Sequence, residues 1–364
     1  MKVERVSLLG TLAVLGLAVA VAYLGPDQDR HRPSRSRTTS DEPASPDDAF
    51  APGRGRHALS PRGIPARGWK DILWRTYEQL NEDRLFAVAA GVVFYGLLAL
   101  FPTITALVSS YALFADAKTV NDHMAFISSF LPEGTFSIIQ DQVSRVLSKG
   151  DMKLGSAFLG SLLLAIWSAN GGMKAIIDAL NVVYDEKEKR GFFKLNAVSL
   201  AFTAGGVIGI LLAIGLVIVT PVALSTVGLG SAADALIRFG RWPVLGVILL
   251  LALAVLYRYA PSRRSPKWRW ISVGSIAATI TWMIGSGLLS FYLANFGHYD
   301  ATYGSLGAAI ALMTWMWMST IVILFGAELN SEIGHQTIVD STSGTSKPLG
   351  SRGATMADTV GISY

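Results

Sequence analysis

The sequence predicts an all-α, polytopic membrane bundle of six core spans preceded by one N-terminal anchor helix. Six long apolar runs recur along the chain, at residues 85–114, 154–173, 196–222, 242–260, 271–293 and 305–327. A helix rising about 1.5 Å per residue needs roughly 20 apolar residues to cross the hydrocarbon of a bilayer. Composition agrees, since 51% of the residues are hydrophobic and only 16% charged, against about 25% charged in an ordinary soluble domain. Backbone groups left unpaired in lipid are costly, so such runs form helices. A barrel would need ten-residue segments of alternating polarity, and none is visible.

Residues 6–24 form an apolar stretch behind Lys2 and Arg5. Their length favours an anchor helix over a signal peptide, whose apolar region is about 7–15 residues, although Ala18-Val19-Ala20 is a tolerable cleavage site. Residues 25–67 are rich in Pro, Ser, Asp and Arg with almost no large apolar side chain, which predicts a disordered linker. A stretch from Trp69 to Arg84 then places Trp69, Ile72, Leu73, Tyr77 and Leu80 on one side of a helix lying at the membrane surface. The domain assignment is anchor 1–24, linker 25–67, membrane domain 68–332 and a disordered tail 333–364.

The distribution of Lys and Arg orients the bundle. Lys187, Lys189, Arg190 and Lys194 fill the second connection and Arg263, Arg264, Lys267 and Arg269 the fourth, while residues 294–304 contain neither type. The basic loops are therefore expected in the cytoplasm, with both ends of the six-helix core on that side of the inner membrane. The first connection, residues 115–153, falls outside and carries Phe136, Ile139, Val143, Val146 and Leu147 at helical spacing, as a short amphipathic helix would. Pro102 interrupts the first core helix and predicts a bend. Gly205 with Gly209, and Gly274 with Ala278, match the spacing of small residues at close helix contacts.

Four segments carry a family resemblance: AAGVVFYGLLALFP (89–102), WSANGGMKAIIDALNVVYDEKEKRGF (167–192), YRYAP (257–261) and the region 291–330 with its YGSLGA entry and GAELN exit. In combination they resemble the YihY/BrkB family of bacterial inner-membrane proteins, across roughly residues 69–332. The resemblance implies a multi-pass membrane protein of a virulence-factor family that has also carried a ribonuclease label. Residues 1–67 lie outside it.

Two polar groups are candidate sites. Asn170, Lys174, Asp178 and Asn181 recur at three- and four-residue spacing and share a helix face, and Glu328 and Asn330 end the last core helix at the same expected depth. Together they form a candidate substrate path, because ionisable groups within membranes are functional candidates by default. Asn295, His298, Asp300 and Tyr303 form a candidate external mouth.

The chain has no cysteine and five histidines without His-x-His or His-x-x-x-His spacing, so no metal site and no cofactor are expected. No nucleophile elbow or P-loop occurs, which argues against an enzyme of those kinds. The net charge of +5 resides largely in loops beside apolar runs and points to membrane lipids rather than nucleic acid. The expectation is transport or lipid and envelope maintenance acting on a small-molecule or lipid substrate. An envelope-assembly scaffold is the alternative, and a ribonuclease a weaker one. The oligomeric state is open.

Overall fold

The computed structural model describes residues 52–112, 140–141, 151–216, 231–296 and 305–364. The anchor, most of the linker, the stripe from Phe136 to Leu147, and His298, Asp300 and Tyr303 lie outside these residues. Among the described residues seven long α-helices and one short one follow in order: α1 Ala66–Glu82, α2 Leu85–Ala112, α3 Asp151–Val183, α4 Phe192–Ile214, α5 Ser231–Tyr259, α6 Trp268–Phe296, α7 Ser305–His335 and α8 Thr355–Asp358. Among the described residues the one β-type pairing is an isolated bridge between Pro266 and Thr342.

Local chemistry sets the helix ends. Pro65 stands immediately before α1, where its missing N–H costs nothing. After α1, Arg84 takes a left-handed φ of 50°, which ends the helix and turns the chain by 59° into α2. Asp185, also at φ 50°, does the same after α3. Pro261 and Pro266 bracket the connection between α5 and α6. Pro102 lies inside α2 and Pro243 inside α5, with helix continuing on both sides.

Helices occupy the described parts of all six expected runs. Among the described residues four regions are long and apolar enough to cross a membrane, Phe192–Ile210, Gly240–Tyr259, Trp268–Leu293 and Ala309–His335, and a fifth arises if α1 and the start of α2 count as one broken span. The expected six are thus four or five on this measure. The 33-residue α3 is long enough, but Asn170, Lys174, Asp178 and Asn181 dilute its second half.

α2 packs along α3, α6 along α7, and α7 also touches α2 and α1. The main core gathers at the end of the bundle that carries the basic loops, where Leu85, Ile177, Leu180, Tyr184, Tyr257, Leu324 and Ala327 are buried. Elsewhere the helices expose large apolar side chains, among them Phe94, Leu163, Ile210, Leu288 and Phe291, the pattern of a surface whose solvent is lipid. Gly274 and Gly326 bring α6 and α7 together so closely that a Cβ on Gly274 would lie 2.0 Å from the Gly326 carbonyl oxygen. The expected small-residue contact at Gly274 and Ala278 is therefore present. Gly205 and Gly209 differ: a Cβ on either would meet nothing within 4 Å.

Both segments assigned as disordered need correction where they are described. Residues 52–67 pack, with Arg56, Ala58 and Ile64 buried, and Ala58 and Ile64 join Ile72, Trp270, Leu329 and Ile333 in a second small core. Fully burying Ile72 or Ile333 contributes about 1.5–3 kcal/mol each. Residues 333–364 likewise fold back over the basic end, with Gln336, Thr337, Asp340 and Arg352 buried. Composition misleads here because these segments are ordered mainly by arginine side chains bonding backbone carbonyls, which a count of apolar residues does not register. The face of α1 that packs inward is also more polar than its periodicity suggests: Gly68, Asp71, Ile72, Arg75 and Thr76 are buried, whereas Leu73 and Tyr77 are exposed.

Candidate functional site at the basic end of the bundle

The structure divides the predicted polar stripe. On α3, the Asn170 Oδ1 accepts a hydrogen bond from the Ser199 hydroxyl of α4, and its Nδ2 donates to Asn196 Oδ1 at 3.2 Å. Lys174 sits with its ammonium 5.8 Å from the centre of the Phe192 ring. Asp178 is exposed. Asn181 is buried and turns to the loops, accepting from the Ser262 backbone N–H at 2.7 Å and donating to Glu188 Oε2 at 3.1 Å. Burial works to raise the Glu188 carboxyl, but hydrogen bonds from Arg190 and Asn181 outweigh it and hold that carboxyl down to about 2. These bonds fasten the α3–α4 connection to the α5–α6 connection.

Glu328 and Asn330 belong to a separate and deeper cluster. Glu328 is 1% exposed and Asn330 5%, and Asn330 Oδ1 accepts from the Gly274 N–H at 2.8 Å. Tyr184, fully buried just after α3, is pushed up to about 12 by burial; the Arg263 cation opposes the shift and the Glu328 charge adds to it. The Arg263 guanidinium lies 3.7 Å from the centre of the Tyr184 ring. Burial lowers the Arg263 pKa, with Tyr184 and Glu186 opposing. Arg263 and Asn330 approach Tyr184, yet Tyr184 Oη, Arg263 Nε and Asn330 Nδ2 each lack a hydrogen bond of good geometry. Arg263 and Asn330 thus gather around the buried Tyr184 hydroxyl, where the charge of the buried Glu328 is also felt. Such a set can hold a proton or a small polar group, because each donor gains about 1–3 kcal/mol when its unmet hydrogen bond is made. With Asp178 exposed and Glu328 enclosed, the two carboxylates do not share one buried cavity.

Beside this cluster the α1 helix is locked to the end of α7. Arg75 Nε meets Glu332 Oε2 at 2.5 Å with both side chains buried, and the same guanidinium donates to Gln336 Oε1 at 2.7 Å and to the Ile362 carbonyl at 2.8 Å. Arg56 donates to the Gly361 carbonyl at 2.7 Å. Arg54 pairs with Asp71 at 2.5 Å. Further along the tail, Glu186 Oε1 accepts from the Thr355 N–H at 2.7 Å, and Lys267 Nζ donates to the Asp340 carbonyl at 2.7 Å. The C-terminal segment therefore covers both basic connections.

Sequence reasoning missed Tyr184, Arg263, Arg75 and Glu332. Arg263 was legible only as a topology signal and Arg75 only as a polar residue on an amphipathic helix. Of the external candidates, Asn295 is exposed and donates to the Phe291 carbonyl at 2.8 Å. Near that end a shallow apolar groove runs between Leu289, Tyr292 and Leu293 on α6 and Gly307, Ile310 and Thr314 on α7. Among the described residues no three His, Asp or Glu side chains gather as a ligand set.

Long lipid-facing helices around a polar end define an all-helical integral membrane protein. Residues 76–348 match the family model described as Virulence factor BrkB, and the chain belongs to that family. It is 31% identical over 247 residues to the ribonuclease-like protein YfkH of Bacillus subtilis, covering 67% of this chain and 88% of that protein. It is 26% identical over 273 residues to a UPF0761 membrane protein of Alteromonas mediterranea, covering 73% and 88%. To another from Cronobacter sakazakii it is 25% identical over 276 residues, covering 74% and 90%. No solved structure matches the chain. The family resemblance read from the four quoted segments is borne out. Residues 52–75 lie outside the matched region although they pack against it.

Proposed function

We propose that this protein moves a small polar solute or an amphiphilic lipid across the bacterial inner membrane, with the Glu328 cluster as its working polar centre. One observation supports this above others: a carboxylate 1% exposed near the end of α7, whose charge acts on the buried Tyr184 that Arg263 and Asn330 approach. An ionisable group kept within a membrane bundle is costly unless it has a task or strong compensation. The residue pattern favours no enzymatic chemistry, so the ribonuclease-like name of one relative is not carried to this chain. A scaffold in envelope assembly would account for the folded plate at the basic end, but not for the buried carboxylate.

Liposomes containing the purified protein test the reading. Flux of small polar solutes or scrambling of labelled phospholipid is expected above the rate of protein-free vesicles. Rates equal to protein-free vesicles across solutes and lipids would favour the scaffold.

The orientation belongs to the same proposal: the connections around Lys189 and Arg264 face the cytoplasm and Asp122 and Asp300 face outward, because Lys and Arg concentrate in the former. Single cysteines introduced at 122 and 300 in this cysteine-free chain are expected to react with an impermeant maleimide added to intact inner-membrane spheroplasts. Labelling at those positions only after permeabilisation would invert the topology.

A further inference from the structure

We propose that the outer face of α1 is a docking surface for anionic phospholipid headgroups, holding this helix in the plane of the membrane interface. α1 presents two unlike faces. The inner one is fastened by Arg75 to Glu332 and by Asp71 to Arg54. The outer one exposes Leu73 (55%), Trp74 (50%) and Tyr77 (62%), with exposed Arg67 and Lys70 one turn earlier.

Three observations select lipid as the occupant. The face continues into the lipid-facing surface of α2, whose Phe86 and Phe94 are 48% and 61% exposed, across a break of two residues and a 59° turn. Trp and Tyr, with an apolar body and a polar tip, favour the headgroup layer. The first half of the face, around Arg67 and Lys70, has no carboxylate but the buried Asp71, which pairs with Arg54; Glu78 and Glu82 lie two or more turns beyond Lys70 and keep their charge. The exposed charge at that first half is positive and matches a phosphodiester. The start of α6 repeats the arrangement at the same end of the bundle, with Arg258 4.6 Å from the centre of the half-exposed Trp268 ring.

The full-length chain, labelled with an environment-sensitive fluorophore at Tyr77→Cys, is placed in nanodiscs of phosphatidylcholine with or without phosphatidylglycerol. The label is expected to emit to the blue and to be quenched by lipids spin-labelled near the headgroup. Retained lipid is measured in parallel by native mass spectrometry from an equimolar mixture of the two lipids. The wild type is expected to enrich phosphatidylglycerol, and Arg67→Glu with Lys70→Glu to lose about tenfold or more of that enrichment, since each basic residue near an anionic surface is worth about fivefold. Lys347→Glu, at an exposed position on the tail, should leave it unchanged. Both α1 substitutions are at exposed positions, so thermal stability should hold. Equal enrichment in wild type and the α1 variant would overturn the proposal, as would a label quenched by aqueous iodide in nanodiscs. A label that shifts to the blue in native membranes but not in nanodiscs would assign the face to a protein partner instead.

Discussion

Gly274→Ala is expected to cost about 1–3 kcal/mol or more from overpacking alone. The added Cβ would lie 2.0 Å from the Gly326 carbonyl oxygen and 2.5 Å from Asn330 Cγ. The first of these is backbone, so α6 and α7 must separate to admit it. Separation also strains the bond from the Gly274 N–H to Asn330 Oδ1, and leaving that buried pair unmet costs about another 1–3 kcal/mol. The reciprocal change, Gly326→Ala, meets Ala278 Cβ and Tyr257 Oη at 2.6 Å and should be comparably damaging. Gly205→Ala is the control, since nothing lies within 4 Å of its Cβ and alanine favours the helix by about 0.5–1 kcal/mol. Thermal unfolding in detergent should show a large loss for the first two and none for the third. A Gly274→Ala protein as stable as the Gly205→Ala protein would mean that the α6–α7 crossing is looser than described.

Arg75→Ala should be at least as costly, at about 3–5 kcal/mol, because it strands a buried charge rather than merely deleting a contact. Glu332 would lose its closest cation at 2.5 Å and keep only His335 at 3.6 Å, while Gln336 would lose a donor at 2.7 Å and the Ile362 carbonyl another at 2.8 Å. The tail should therefore loosen as stability falls, seen as faster proteolysis beyond residue 336. Replacing both members, Arg75→Leu with Glu332→Leu, removes the charges together and should cost clearly less than Arg75→Ala alone. If the double variant is the worse of the two, the pair contributes through geometry that leucines cannot supply, and the desolvation argument fails.

The membrane core was legible in the sequence because a bilayer fixes the length of an apolar run and lipid forbids unpaired backbone. The small-residue signal was less selective: Gly274 reads correctly as a contact, but Gly205 shows the same spacing with no neighbour. Spacing gives a shared face, not what that face meets. The same limit explains the polar stripe. Asn170, Lys174, Asp178 and Asn181 do follow one face of α3, yet α4 takes Asn170, the loops take Asn181 and Asp178 stays exposed. Tyr184, Arg263 and Glu328 lie far apart in the chain and are brought to interact only by the tertiary fold, which no local pattern encodes. The folded tail was illegible for a different reason. Its order rests on Arg56, Arg75 and Arg352 bonding carbonyls, and in a sequence those arginines look the same as solvated charge.

Glu328→Gln and Asp178→Asn, compared side by side in the liposome flux and scrambling assays, test the central claim most directly. Both remove one carboxylate charge at nearly constant shape, but Glu328 is buried and acts electrostatically on Tyr184, whereas Asp178 is exposed. Glu328→Gln is expected to reduce transport at least tenfold while inserting and folding normally, with Asp178→Asn close to wild type. Wild-type transport by Glu328→Gln, or an equal loss in both variants, would contradict the assignment of the buried cluster as the working centre.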